Sequence, residues 1–298
     1  MTAESKQPSG AASYVNSRQI KVGPARRKSL IAMFALLPAL VVFCAFWLLP
    51  FSRLIMMGAE ADPSSGISAY LTILTHRQYL ISLATTVGLS LVVSLVAVAI
   101  AGVAGFFLAR QRFFGKSILV AILTFPLAFP GVVVGFLVIM LGGRQGALAQ
   151  TSLWLFGERW MFAYSLAGLF IGYLYFSIPR VITTVMAACD NLDQSLEEAA
   201  RSLGANTWQV TKDVIVPGIA PALLSTGAIC FATSMGAFGT AFTLGTRLSI
   251  LPLNIYGEFT NYANFAMAAA LSVVLGVITW MALSLARRLA GGNLGASV

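Results

Sequence analysis

Gly115-Lys116-Ser117 has the ending of a phosphate-binding loop, in which backbone N–H groups cradle phosphates and a lysine reaches the terminal ones. That chemistry needs a glycine five residues before Gly115 and a strand ahead of the loop. Arg110 holds that position, and no strand pattern precedes it. His76, the sole histidine, stands beside Arg77 in a connection, which suits a solvated side chain better than a ligand. Cys44, Cys189 and Cys230 are scattered, with neither metal spacing nor evident disulfide pairing, and read as small core residues. No Ser/His/Asp, Cys/His or metal-ligand constellation can be assembled from this inventory. Neither an enzyme nor a cofactor site is expected.

The polar stretch from Glu197 to Pro217, "EEAARSLGANTWQVTKDVIVP", interrupts two oily segments. Leu196, Ala199, Ala200 and Leu203 recur at i, i+3, i+4 and i+7, so they form one apolar stripe on a short helix. Glu197 and Arg201 lie four apart on the other face, in the favourable order for an ion pair. Gly204 suits the left-handed conformation that follows a helix C-terminus. Asn206 and Gln209 then match a capping box, predicting a second helix toward Val214. Pro217 and Pro221 mark its end. Ala199 and Ala200 would let another surface approach closely, and Trp208 offers a large rigid contact. A hairpin lying under its own bundle or on lipid headgroups would have the same pattern.

The elements that must hold this hairpin are set by composition. Hydrophobic residues make up 58% of the 298, charged residues only 10%, and mean hydropathy is +0.85; soluble domains carry about a quarter charged residues. Apolar, uncharged stretches recur at Leu30–Leu49, Leu80–Leu108, Ile118–Leu141, Trp160–Ile178, Gly218–Thr246 and Phe259–Ala286. Each approaches or exceeds the roughly 20 residues that cross hydrocarbon as a helix. Lipid offers no partner to backbone polar groups, and barrel alternation is absent. The predicted fold class is an all-α integral membrane protein with six transmembrane helices. Pro126 and Pro130 in "FPLAFPG" predict a kink in the third, with a role in lining a pathway as the alternative.

Sorting the basic residues by segment places fourteen of nineteen on one side, Arg180 among them, and this side is the cytoplasm by the positive-inside rule. Both termini and the hairpin fall there. The net charge of +9 is thereby a consequence of topology, and nucleic acid is not an expected partner. The boundaries are a disordered basic tail at 1–28, a first helix and outer connection at 29–79, a core at 80–288 containing a loop at 190–217, and a tail at 289–298. A cleavable leader fits poorly, because the apolar run after Lys28 is about twice a typical signal core. Ser225, Thr226, Thr233, Ser234 and Thr240 are candidates for lining a pathway, in competition with helix packing.

Glu198-Ala199-Ala200, three residues, Gly204, nine residues, then Val214-Ile215-Val216-Pro217 resembles the signature of type I ABC importer permeases, with valines at 214 and 216 where that signature has isoleucine and leucine. The likeness extends from about Leu80 through Arg288. It implies the type I permease fold and a multi-pass location in the bacterial inner membrane. It also implies a loop that docks on a separate ATP-hydrolysing subunit through Glu198, Ala199, Ala200 and Gly204, with Trp208 added from its own chemistry. The implied partners are two ATPase subunits holding ATP and magnesium, a second permease copy or paralogue, an external solute-binding protein and the bilayer.

"FPLAFPGVVVGF" and "LPLNIYGEFTNYANFAMAAALS" are similar to the iron(III), polyamine and phosphonate branch. The spans carry no acid to accompany a polycation, which favours a neutral, zwitterionic or anionic solute such as an aminophosphonate. A self-sufficient secondary transporter or channel is the alternative. Coupling to protons or sodium commonly uses intramembrane ionisable groups, and the six stretches contain none.

Overall fold

The computed structural model describes residues 36–60, 68–245 and 248–292. The predicted tail at 1–28, the end of the tail at 289–298 and Arg247 lie outside them. The chain divides into two compact units, Met1–Ser52 and Arg53–Val298. Helix α1, Leu36–Ala59, begins in the first unit and widens into a π turn at Cys44–Leu48. No described residue of that unit is buried, so Cys44 is exposed and is not the core residue expected. Cys189 and Cys230 are buried.

In the second unit, α2 is Ala69–Thr75, α3 Arg77–Arg110, α4 Lys116–Thr124, α5 Gly131–Gly142, α6 Ala147–Phe156 and α7 Leu166–Asp190. The hairpin supplies α8, Gln194–Ser202, and α9, Thr207–Val210. Then come α10 Val216–Met235, α11 Phe238–Leu244, α12 Leu251–Thr260 and α13 Phe265–Gly292. Among the described residues there is no strand, and six helical segments are long and apolar enough to cross a membrane.

Three of the expected spans differ in detail. The third is a broken helix: α4 tightens into a 3₁₀ turn at Phe125–Ala128, the chain extends through Phe129 and Pro130, and α5 restarts at Gly131. Two prolines remove two backbone donors within one turn, so the helix ends where a simple kink was expected. The fourth runs to Asp190, twelve residues beyond Ile178, and takes Arg180 into its interior. The fifth is interrupted at Gly236 and Ala237, between α10 and α11.

Helix α3 carries the main packing argument. Ala97, Ala101 and Gly105, spaced by four, are buried in the contact with Val181, Ile182 and Val185 of α7. A Cβ on Gly105 would stand 3.0 Å from the Ile182 carbonyl oxygen. Other α3 positions point outward as Leu91, Leu95 and Val103. Small residues inward and large apolar ones outward is the arrangement expected where close packing, not apolar burial from water, drives association. Helices α5 and α11 use the same device. A Cβ on Gly135 would come within 2.6 Å of Thr243 Cβ. Gly135→Val is therefore expected to cost about 1–3 kcal/mol through overpacking, measured as thermal unfolding in detergent. Gly88→Ala, with nothing within 4 Å, is the control and should not destabilise.

Candidate functional site

The hairpin is built as its sequence dictates. Asp193 caps α8, accepting the Ser195 backbone N–H at 2.9 Å, and this bond holds the Asp193 carboxyl below the usual carboxylate range. A depressed carboxyl supports the fold above its ordinary titration range, and that support is lost as pH falls through its folded pKa. At the far end Gly204 adopts φ +88°, with its N–H donated to the Arg201 carbonyl and that of Ala205 to the Ala200 carbonyl. These two bonds define a Schellman reversal. Asn206 and Gln209 then exchange both capping-box bonds, at 2.9 and 2.8 Å.

The second arm does not end at the prolines as expected. It passes through a π turn at Thr211–Ile215 straight into α10, with Pro217 in the first turn and Pro221 accommodated inside. The continuous stretch Thr207–Met235 has 29 residues, about 43 Å at 1.5 Å per residue, against a hydrocarbon thickness of about 30 Å. The rod is thus longer than the apolar layer is thick.

Glu197 turns inward. It is buried, and its Oε1 accepts from Nη2 of Arg110 in the last turn of α3, which also lies over the Phe106 ring. The expected partner, Arg201, is exposed. The reason is steric and electrostatic together: α8 lies against the end of α3, so its inward-facing acid meets a cation there, leaving Arg201 in solvent. What the hairpin displays outward includes large apolar groups: Leu203 is 88% exposed, Trp208 72% and Leu196 54%. Glu198, Ala199 and Gly204 are exposed beside them, and Ala200 is half-buried.

A second feature lies at membrane depth. Both helix breaks, Pro126–Gly131 and Gly236–Thr240, line a cavity of about 400 Å³ together with Arg180 and Phe176 of α7. Among the described residues, Arg180 is the only charged one lining it. It stands ten residues from the Asp190 end of α7, about 15 Å along the helix, inside a segment long and apolar enough to cross a membrane. Its Nη1 donates to Thr233 Oγ1 at 3.1 Å. Among the described residues no carboxylate forms an ion pair with it. Pro179, immediately before it, removes a helical donor and so frees the Tyr175 carbonyl. The break at Ala237 is braced by Tyr173, whose hydroxyl donates to the Ala237 carbonyl at 2.9 Å. Thr240 joins the two breaks by donating to the Gly131 carbonyl at 2.9 Å.

Of the five small polar residues of the fifth crossing, Thr240 lines the cavity and Thr233 holds the arginine there. Ser225 is exposed, Thr226 and Ser234 are buried, and none of these three lines it. Arg180 itself is the residue that hydropathy assigned to the cytoplasmic side. The structure places it inside α7, because the run of small and apolar residues from Val181 to Cys189 carries the helix through two and a half further turns.

Comparison with known proteins accounts for this architecture. Residues 101–291 match the family described as binding-protein-dependent transport system inner membrane component. The molybdenum transport system permease protein ModB of Haemophilus influenzae is 28% identical over 62% of this chain and 86% of its own length. The sulfate transport system permease protein CysT of Escherichia coli is 28% identical over 80% of this chain and 84% of its own. A bacterial alginate ABC transporter crystallised with its alginate-bound periplasmic protein contains a chain of the same fold, with TM-score 0.73, 17% identity, and coverage of 89% of this chain and 96% of that one. A chain of the MetNI methionine transporter follows with TM-score 0.56, 17% identity, and coverage of 72% and 96%. A multi-pass bundle that matches this family over most of its length belongs to it, and the chain is the pore subunit of an ABC importer, an inner-membrane permease and not an enzyme.

Proposed function

We propose that the hairpin 190–217 is the surface through which this permease is driven by a nucleotide-hydrolysing partner, with Glu198, Ala199, Ala200, Gly204 and Trp208 at the contact. The observation that carries the reading is the exposure of Leu203 and Trp208 on a doubly capped, reversal-locked hairpin. An exposed aromatic on a rigid support suits a partner's cleft. The assembly contains two ATPase subunits that hold ATP and magnesium, a second copy of this permease or a similar one, and a solute-binding protein on the opposite face. Such accessory proteins are named with the solved neighbour that carries its periplasmic protein. Trp208→Ala should reduce co-purification of the ATPase subunit and ATP-driven uptake by about tenfold or more, the scale of a hot-spot truncation. Unchanged association and uptake would remove the docking role.

For the solute we infer a small oxyanion. The relatives named for molybdenum and sulfate transport support this class, and so does a cavity whose one charged lining residue, among the described residues, is Arg180. Arg180 repels a polyamine or a free iron(III) cation, while a phosphonate shares the oxyanion chemistry. Uptake of labelled sulfate and molybdate by the assembled importer tests it, with spermidine and iron(III) as solutes that should not be carried.

A further inference from the structure

We propose that the cavity at the two helix breaks is a half-way binding site for a tetrahedral oxyanion, held by the Arg180 guanidinium and the N-terminal end of α5, with Thr233 occupying the guanidinium when the site is empty. This rests on the oxyanion reading above and adds the place and the groups.

An arginine inside a spanning segment is energetically costly unless it serves a pathway or meets a partner. Here, among the described residues, the only hydrogen bond that its side chain makes is to a neutral hydroxyl at the cavity's edge. A guanidinium has five N–H donors in a fixed fork, so one bond to Thr233 leaves four for a ligand or water. The fork matches two oxygens of a tetrahedral anion in the bidentate manner that distinguishes arginine from lysine.

The second donor set comes from the broken helix. Gly131 and Val132 line the same cavity, and the first-turn N–H groups of a helix have no intrahelical acceptor. The positive end of the twelve-residue α5 dipole is thus turned to the space that Arg180 occupies. Glycine at 131 and 239 lets α5 and α11 cross closely beside the cavity: a Cβ at Gly131 would stand 3.1 Å from Thr240 Oγ1. Half-helix N-termini face anionic substrate groups in secondary transporters, and the same physics holds for any interrupted helix in an apolar surrounding.

Strength argues in the same direction. A transport site must bind well enough to admit the ion and weakly enough to release it. One guanidinium already bonded to a threonine, together with one helix end, gives that intermediate affinity. Exchange between Thr233 and the solute requires only rotation of the arginine side chain.

The test uses the assembled importer, with its own ATPase and binding protein, in proteoliposomes containing trapped ATP, and measures [³⁵S]sulfate and [⁹⁹Mo]molybdate uptake together with ATP hydrolysis. Arg180→Gln should lower uptake at least thirtyfold while hydrolysis stimulated by the loaded binding protein falls less than threefold. Arg180→Lys should fall between them. Gly88→Ala, which touches neither the cavity nor its lining, should retain at least half of wild-type uptake. If wild type carries neither anion, the oxyanion reading fails and takes the site with it. If wild type carries them and Arg180→Gln lies within twofold of it, the site alone is overturned. Equal losses in Arg180→Gln and Thr233→Val, with less assembled complex in the membrane, would make the pair a packing clasp and also overturn the site.

Discussion

Gly204→Val is expected to abolish ATP-driven uptake while the protein remains inserted and its transmembrane bundle intact. Gly204 sits at φ +88°, where a Cβ collides with the neighbouring carbonyl and a β-branched side chain fares worst. Nothing surrounds the position within 4 Å, so the cost is conformational, about 1–2 kcal/mol for an ordinary residue and more for valine. The chain can relieve it only by opening the reversal, which breaks the two bonds from Gly204 and Ala205 to the end of α8. The angle between the arms then changes, and Trp208 no longer stands in a fixed relation to Glu198. Gly204→Asn is the discriminating companion, because asparagine tolerates the left-handed region; it should keep a third or more of wild-type uptake. Equal uptake in wild type and the valine variant, at equal membrane abundance, would show that the reversal's geometry does not matter for coupling.

Much of this hairpin is legible in the sequence because its determinants are local. A reversal glycine, a capping box and a stripe spaced at three and four residues are decided within one or two turns. The partner of Glu197 is not local. Arg201 at i+4 and Arg110, 87 residues away, are equally basic, and only the packing of α8 on the end of α3 selects between them. Arg180 escaped for the opposite reason. Hydropathy averages over a window and ends a span at the first charge, whereas α7 carries its charge inward by giving it a cavity and a hydroxyl. The helix breaks at Pro126–Gly131 and Gly236–Ala237 were half legible. Two prolines announce an irregularity, but whether the chain bends or stops depends on Thr240 and Tyr173 from other helices, which take up the Gly131 and Ala237 carbonyls. Local chemistry thus marks the hairpin, and tertiary context marks the cavity at the helix breaks.

Exchanging the charges of Arg110 and Glu197 should restore what either reversal alone destroys. The pair joins α8 to the last turn of α3, the helix whose small-residue stripe packs on α7, so a displacement applied to the hairpin enters the bundle at this point. The two side chains retain 26% and 11% of their exposure. Reversing one leaves two like charges in a partly desolvated place, where breaking a fully buried pair costs 3–5 kcal/mol and a partly screened one less. Glu197→Arg and Arg110→Glu are each expected to reduce ATP-driven uptake by about tenfold or more and to lower the melting temperature of the detergent-solubilised protein. The double variant should recover at least a third of wild-type uptake, with a coupling free energy of about 1–2 kcal/mol in the stability cycle, inside the range seen for directly contacting residues. The geometric term keeps recovery incomplete, because arginine on α8 cannot reproduce the lie of Arg110 over the Phe106 ring. A double variant no better than the worse single one would show that the helix end and the hairpin are joined by packing alone, and the route of force would then pass through the continuous rod from Thr207 to Met235.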